Sequence, residues 1–447
     1  MNYGLLTLLP ALAVVLFALK TRRTLEALLL GTLLSYLITD GPNFLSAWME
    51  GFFSVATTKD VQWVIIICLL FGGFIALMGA SRGTFHFSSL LQRFCRTKTI
   101  TLLVTWILGI LIFIDDYLNI ITLAVCMRPV TDIQKIPRES LAYIIDSTGA
   151  PVCVLLPFST WAIFYASVFF QQSQVAALGY GNAMQTYIHL IPYTFYAILT
   201  LIVVFLFCMG WLPKVGRMKT AYARCADGKV TGIPEKSDKK TAAKGSLWDF
   251  LLPLVTVIVL VIANGEMFIA LVCGLAVCLL LYLPRKLMSF GTFCDTFMDG
   301  FTSLLPTVAV VFAAFLMQEA SVRIGLANYV IGLIRPFMQP SFYPALAFVT
   351  IAVLTFITGS NWGIPAVCVP VLVPLGFSIG ANPLLVMAAI LSGGTFGSHA
   401  CFYSDATVLT STSCELDNLS HALSQFPYAC LGAVLTFFLY LLLGFFS

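Results

Sequence analysis

The chain has 447 residues, of which 60% are hydrophobic and 10% charged, with mean hydropathy +0.96 and formal net charge +4. Soluble domains carry about 25% charged residues, so a water-soluble enzyme or a nucleic-acid-binding module is excluded and the natural solvent is lipid. The 13 cysteines lie mostly within apolar runs and include no CxxC pair, which reads them as small buried hydrophobes rather than disulfides or zinc ligands.

Apolar runs recur from end to end: Leu5–Leu19, Val61–Met78, Tyr193–Met209, Phe250–Ala263 and Leu431–Phe446. Each approaches the roughly 20 residues that span about 30 Å of hydrocarbon. Strict alternation is missing, which favours helices over a barrel. The expected fold is an all-α polytopic membrane protein of about 10 transmembrane helices, with two helical hairpins and broken helices.

Charge assigns sides. The first run ends at Lys20, Arg22 and Arg23 without a small-residue cleavage pattern, so no removable signal peptide is expected. Basic loops stay cytoplasmic, which places Lys20–Arg23, Arg82–Lys98 and Arg128–Arg138 inside, with Asp40 to Asp60 and Gln171–Gln185 outside. These agree when the N-terminus is outside and Thr99–Val130 enters and returns as a hairpin. The polar stretch Pro213–Ser246 carries nine Lys or Arg against three acids and divides the chain. The expected units are a first repeat over 1–212, a basic cytoplasmic linker over 213–247, and a second repeat over 248–447. Arg285 and Lys286 fit a second half that runs inverted. Arg323 and Arg335 do not, although Glu319 lies four residues before Arg323 and can pair with it.

The halves resemble each other. Leu8-Leu9-Pro10 returns as Leu251-Leu252-Pro253, and Met49-Glu50-Gly51-Phe52 as Met298-Asp299-Gly300-Phe301. Phe113-Ile114-Asp115 returns as Phe356-Ile357-Thr358, and Ser147–Trp161 aligns with Gly393–Thr407. The offsets of 243, 249, 243 and 246 residues indicate an internal duplication. Inverted repeats with binding at the midplane are a recurring design of secondary transporters.

Four polar clusters interrupt the apolar sequence, two per half. The first is Asp115, Asp116 and Asn119; the second holds Asp146, Ser147 and Thr148, followed by Ser159, Thr160 and Trp161. The third is Thr358, Ser360 and Asn361, beside Trp362. The fourth holds Thr395, Ser398 and His399, followed by Ser404, Asp405 and Thr407. A carboxylate at membrane depth costs about 2.5–3.5 kcal/mol even on a lenient scale, so adjacent acids point to binding or movement of charge. Gly and Pro beside hydroxyls break helices, and broken helices at membrane depth line protein-enclosed cavities. Such oxygens suit a hard cation. Without the two tryptophans, these 17 residues form the expected ion- or solute-binding set, with Asp116 and Asp405 as the Na+ ligands.

Blander roles compete at each position. Asp115 or Asp116 could cap a helix, Asp146 and Asp405 could hold a broken helix together, and His399 could be a satisfied core histidine. The hydroxyls could bond back to the preceding turn. Trp161 and Trp362 read as packing residues.

The stretches Phe113–Asn119, Met127–Asp132 and Leu141–Trp161 resemble the NhaC-type sodium/proton antiporter family. Phe396–His399, Ser404–Thr407 and Gln425–Tyr428 repeat the resemblance in the second half. It implies the wider ion-transporter superfamily, an elevator-like transport domain against a scaffold, and coupling to Na+ or H+ with no other cofactor. Asp115, Asp116, Asn119, Asp146 and Asp405 match the family's polar motif residues. Ser398 stands where the family usually carries an acid, and Phe402 and Ala406 replace its Pro and Thr. A less acidic, more aromatic site, with Phe402, Tyr403 and Trp362, would suit a small organic acid or amino-acid-like solute.

The leading expectation is therefore a multi-pass carrier of the inner (plasma) membrane, exchanging Na+ for H+ by alternating access, not an enzyme. Its partners would be membrane lipid and the small ion or organic solute, with no nucleic acid; a homodimer is one assembly it could adopt. An intramembrane aspartyl protease would need a Gly-x-Gly-Asp motif, which the sequence does not contain. A passive channel would not need duplicated broken helices.

Overall fold

The structure, a computed structural model, describes residues 3–21, 23–83, 86, 90, 93–113, 115–157, 159–226, 245–264, 266–326, 328–329, 332, 339–359, 361 and 363–446. Arg22, Arg335, Ser360, Trp362 and much of the basic linker lie outside the described residues. Among those described there are helices and no strands.

The first half runs α1 (Leu9–Thr21), α2 (Thr24–Asp40), α3 (Phe44–Thr57), α4 (Lys59–Ala80), α5 (Lys98–Leu111), α6 (Asp116–Ile133), α7 (Arg138–Thr148), α8 (Ala150–Leu155), α9 (Thr160–Phe170), α10 (Ala183–Leu190) and α11 (Phe195–Cys208). A short basic helix α12 (Gly216–Ala226) begins the linker. The second half comprises α13 (Trp248–Asn264), α14 (Met267–Tyr282), α15 (Phe290–Ser303), α16 (Leu305–Arg323), α17 (Tyr343–Thr358), α18 (Gly363–Ser378), α19 (Pro383–Ala400), α20 (Asp405–Ser413) and α21 (Asn418–Phe446).

Among the described residues, four helices are long and apolar enough to cross a membrane, or up to six if two bent pairs count as spans. Shorter apolar helices of 10–17 residues lie alongside them. The chain is an all-helical membrane protein.

Two hairpins carry the helix breaks that matter below. In the first, α5 and α6 are joined through 112–115, and Gln134 Nε2 donates to Cys95 O at 2.7 Å, bringing the hairpin's open ends together. In the second, α17 stops at Gly359, whose φ of +69° is the left-handed geometry a glycine tolerates. Tyr343 OH then ties the start of α17 to Leu372 O in α18 at 2.7 Å. Helix bounds repeat at a fixed spacing: Lys98 and Tyr343, Ile133 and Ser378, Arg138 and Pro383, and Thr160 and Asp405 each stand 245 residues apart.

The helices pack most densely in two groups. One joins α1–α4 to α13–α16; the other joins α5–α12 to α17–α21. The α16 helix touches both, packing on α2, α3 and α4 and on α17 and α20. Ion pairs fasten the ends of the second group: Arg138 bonds Asp132 at 2.9 Å and Glu415 at 2.5 Å, and Arg128 bonds Glu415 at 2.5 Å. Burial pushes the Glu415 carboxyl upward, but the Arg128 and Arg138 charges prevail and hold it below its ordinary value.

The expected pairing of Glu319 with Arg323 is corrected. Arg323 forms a fork on Asp40 of α2, at 2.6 and 3.0 Å, while Glu319 accepts the Tyr36 hydroxyl. A carboxylate across the helix interface offers the planar guanidinium two parallel bonds, which a neighbour on its own helix does not.

The α4–α15 crossing depends on glycine. A Cβ added at Gly300 would lie 2.3 Å from Gly72 O, and one at Gly72 would lie 2.4 Å from Gly300 O. Gly300→Val must therefore force two backbones apart. A loss of about 1–3 kcal/mol is expected, the usual cost of overpacking, seen as a lower unfolding temperature in detergent. Gly79→Ala, where nothing lies within 4 Å, should leave that temperature nearly unchanged.

Candidate functional site

The chain places three carboxylates together where α6 and α20 begin. Asp115 is the N-cap of α6: its Oδ1 accepts from Leu118 N at 3.1 Å and its Oδ2 from Thr160 Oγ1 at 3.1 Å. It is both a helix cap and a wall of the cluster. Asp116 follows, 1% exposed, with its Oδ1 unpartnered. Tyr117 then reaches across to the other half, donating to Asp405 Oδ2 at 2.5 Å. Asp405 Oδ1 accepts from Asn361 Nδ2 at 3.0 Å and from Ala406 N at 2.8 Å. Asn361 Oδ1 is buried without a partner. Asp115, Asp116 and Asp405 stand near enough for their charges to interact. Trp161 is buried beside them and stacks on Tyr165, centroids 6.0 Å apart.

A second cluster surrounds Asp146, on α7. Its Oδ2 accepts from Gln425 Nε2 at 2.7 Å, His421 Nε2 at 3.1 Å and Thr407 Oγ1 at 3.3 Å. Gln425 also donates to His399 O at 2.6 Å. The His399 ring is held at Nε2 by Ser147 Oγ (2.9 Å) and at Nδ1 by Tyr196 OH (2.8 Å). Ser398 is wholly buried, and its Oγ has no partner.

The remaining expected residues hold backbone. Asn119 Nδ2 donates to Gly109 O at 2.6 Å, Ile112 O at 2.8 Å and Thr148 O at 3.2 Å, clamping the first break. Ser159 caps α9 and donates to Cys153 O at 2.5 Å; Ser404 caps α20 and donates to Ser398 O at 2.6 Å. Both partners are again 245 residues apart (404 − 159 and 398 − 153). Thr148, Thr358 and Thr395 bond back to Ile144 O, Leu354 O and Leu391 O at 2.7–2.8 Å, as hydroxyls in apolar helices do.

The sequence reading passes over His421, and takes in Tyr117 and Gln425 only within family stretches. His421 and Gln425 are four apart on α21, so they share a face. That polar i, i+4 pair in an apolar helix was the available signal. Although Asp115, Asp116 and Asp405 share one neighbourhood, among the described residues no three His, Cys, Asp or Glu side chains are arranged so that together they could hold a metal ion. What converges is carboxylate, amide and hydroxyl oxygen.

A lipid-dissolved helical protein with carboxylates buried at helix breaks is a secondary transporter. The model of the Na+/H+ antiporter family matches residues 169–445, and the chain belongs to that family of transporters. Over 98% of its length it is 25% identical to an uncharacterised protein of Haemophilus influenzae, covering 91% of that protein. Shorter stretches are similar to a malate-2H(+)/Na(+)-lactate antiporter of Bacillus subtilis, at 29% identity over 24% of this chain and 23% of that one. The arginine/ornithine antiporter of Halobacterium salinarum is 28% identical over 35% of this chain and 33% of its own. The solved antimetabolite efflux pump MtrF of Neisseria gonorrhoeae overlaps 90% of this chain and 83% of its own, at 12% identity and TM-score 0.39.

Asn119→Ala would strand three carbonyls in the interior. Each unsatisfied group costs about 1–3 kcal/mol, so the expected result is a large fall in unfolding temperature and expression. Thr395→Val, which removes a hydroxyl bonded to its own helix, should lower neither by more than a small amount.

Proposed function

We propose that the protein exchanges Na+ for H+ by alternating access, with the cation held by Asp116, Asp405 and Asn361 and flanked by Asp115 and Thr160. One observation carries this reading: Asp116 Oδ1 and Asn361 Oδ1 are acceptors in the protein interior with no donor, beside the carboxylate of Asp405. A buried acceptor left bare is costly, and either a hard cation or a proton on the carboxylate relieves it. Na+ and H+ thus compete for one set of oxygens, and that competition is what couples their movements.

In this reading the N-terminus is outside, the linker is cytoplasmic, and the two halves insert into the inner membrane with opposite orientations. The group α5–α12 with α17–α21, which bears Asp115, Asp116, Asp146 and Asp405, would move against α1–α4 with α13–α16.

Exchange of a small organic acid or amino acid is the second reading, favoured by the names of the two partial relatives. The aromatic residues that suggested it from sequence support it less. Tyr403 OH is engaged by Ile357 O, and Phe402 packs edge-on against Phe356 and Phe426.

Proteoliposomes containing a pH dye distinguish the two. Adding Na+ or Li+ without organic solute should drive proton movement. A charged ligand is worth about 1.5–3 kcal/mol, so Asp116→Asn and Asp405→Asn should each cut that movement roughly ten- to hundredfold while elution and helicity stay as in wild type. Full activity in either purified variant would refute the assignment. Silence from folded wild type, with thermal stabilisation by malate, lactate or arginine, would establish the second reading.

A further inference from the structure

The two buried carboxylate clusters differ in how their carboxylates are met. Around Asp116 and Asn361 the unpartnered atoms are acceptors, which suits a cation. Asp146 Oδ2 is instead crowded by three donors, from Gln425, His421 and Thr407. A cation arriving there would have to displace three hydrogens from one oxygen. Gln425 Oε1 and Ser398 Oγ nearby have no partner either, but the cluster also holds a bare ring nitrogen, which takes a proton and not a hard cation. Asp146 accepts from His421 Nε2, so Nε2 carries the hydrogen and Nδ1 presents its lone pair. That Nδ1 is buried without a partner, on a side chain with 0% exposure. His399, the buried imidazole nearby, has both nitrogens engaged.

We propose that His421 is a proton-binding site distinct from the cation-binding carboxylates, loaded at Nδ1 and held by Asp146. The site stands on its own geometry; its role in transport rests on the exchange reading above. The step is a protonation: a proton from water ends on Nδ1, Asp146 remains a carboxylate, and the pair passes from net −1 to neutral. An imidazolium beside a carboxylate keeps a charge-assisted bond, so no charge is stranded.

The titratable groups that reach His421 from neighbouring helices are Asp146 on α7 and His399 on α19; behind them Tyr143 on α7 and Tyr196 on α11 lie against His399, Thr407 ties Asp146 to the α20 helix of Asp405, and Arg217 on α12 lies beside Ser420. Asp146 is the one in hydrogen-bond contact. Loading reaches the cation site because Asp146 and Asp405 feel each other's charge. In addition Thr407, two residues after Asp405 on α20, donates to Asp146. With His421 neutral, the Asp146 charge adds to the field that draws a cation; with His421 protonated that field is cancelled and the cation is released. Asp417, one turn earlier on the chain, is exposed, and its carbonyl accepts from His421 N at 3.1 Å. A small surface cleft lined by Arg217, Asp417, Ser420 and Leu423 opens on the turn before His421.

The test is nitrogen NMR of the full chain in lipid nanodiscs with labelled histidine. The chain has four histidines, and His421→Gln identifies the signal. Should that variant not fold, His86→Gln and His189→Gln assign the two histidines outside these clusters, and Asp146→Asn marks His421 as the more strongly perturbed of the rest. On acidification the His421 ring should pass from neutral to imidazolium. Saturating Na+ should move that midpoint to lower pH, as should Asp146→Asn, which removes the counter-charge. A His421 ring that stays neutral at every pH where the protein remains folded would overturn the proposal. A ring that titrates, unmoved by Na+ that still drives proton flux, would overturn its coupling to transport. A ring that titrates in protein showing no Na+-driven flux would uphold the proton site while the exchange reading fails.

Discussion

Every break in this bundle faces one constraint: lipid offers no hydrogen bond, so backbone released from a helix must be satisfied by protein. The chain meets it with side chains aimed at particular carbonyls. Asn119 takes Ile112 O and Thr148 O, Ser159 takes Cys153 O, and Tyr403 takes Ile357 O. Ser404 takes Ser398 O, Gln425 takes His399 O, and Asn418 takes Phe402 O at 2.5 Å. Without these donors the breaks would close into continuous helix or open to water. Neither state could hold carboxylates at the ends of α6 and α20.

That accounting also separates side chains with acceptors left over from those committed to the backbone. Asn119, Ser159 and Ser404 spend their donors on backbone, so they shape the cavity walls. Asp116 and Asn361 keep acceptors free, and Asp405 is steadied by Tyr117 and Asn361 from opposite halves. Tyr117 is thus a link between the two hairpins as well as a neighbour of the acids. A phenol donating to a carboxylate fixes the carboxylate's orientation without neutralising it.

Much of this was legible from composition and local chemistry. The hairpin around Asp115 followed from charged flanks and an acidic tip, and Gly359 marked the second break by the backbone it permits. Asp115 illustrates why capping and binding could not be told apart from sequence: it caps with one oxygen and faces Thr160 with the other. The Arg323 partner was misread because i, i+4 proximity is visible in a sequence and a facing helix is not. His421 escaped for the same reason. Its meaning comes from Asp146, 275 residues away in the chain, and no local spacing encodes that.

The constant spacing of 245 residues exposes one more feature of the site. At that spacing Asp116 corresponds to Asn361, and Thr160 to Asp405. Each half therefore supplies acid at one position and a neutral partner at the other, but with the two exchanged. The bonds do not copy the correspondence: Asn361 bonds Asp405 in one half, whereas Thr160 bonds Asp115, the neighbour of Asp116, in the other. A symmetric copy would have gathered acids at all these positions, and like charges so close in a low dielectric repel strongly. In the proposed exchange reading, dividing them would leave enough negative charge to attract a cation and enough neutral oxygen to coordinate it. The asymmetry keeps the site chargeable without making its empty state untenable.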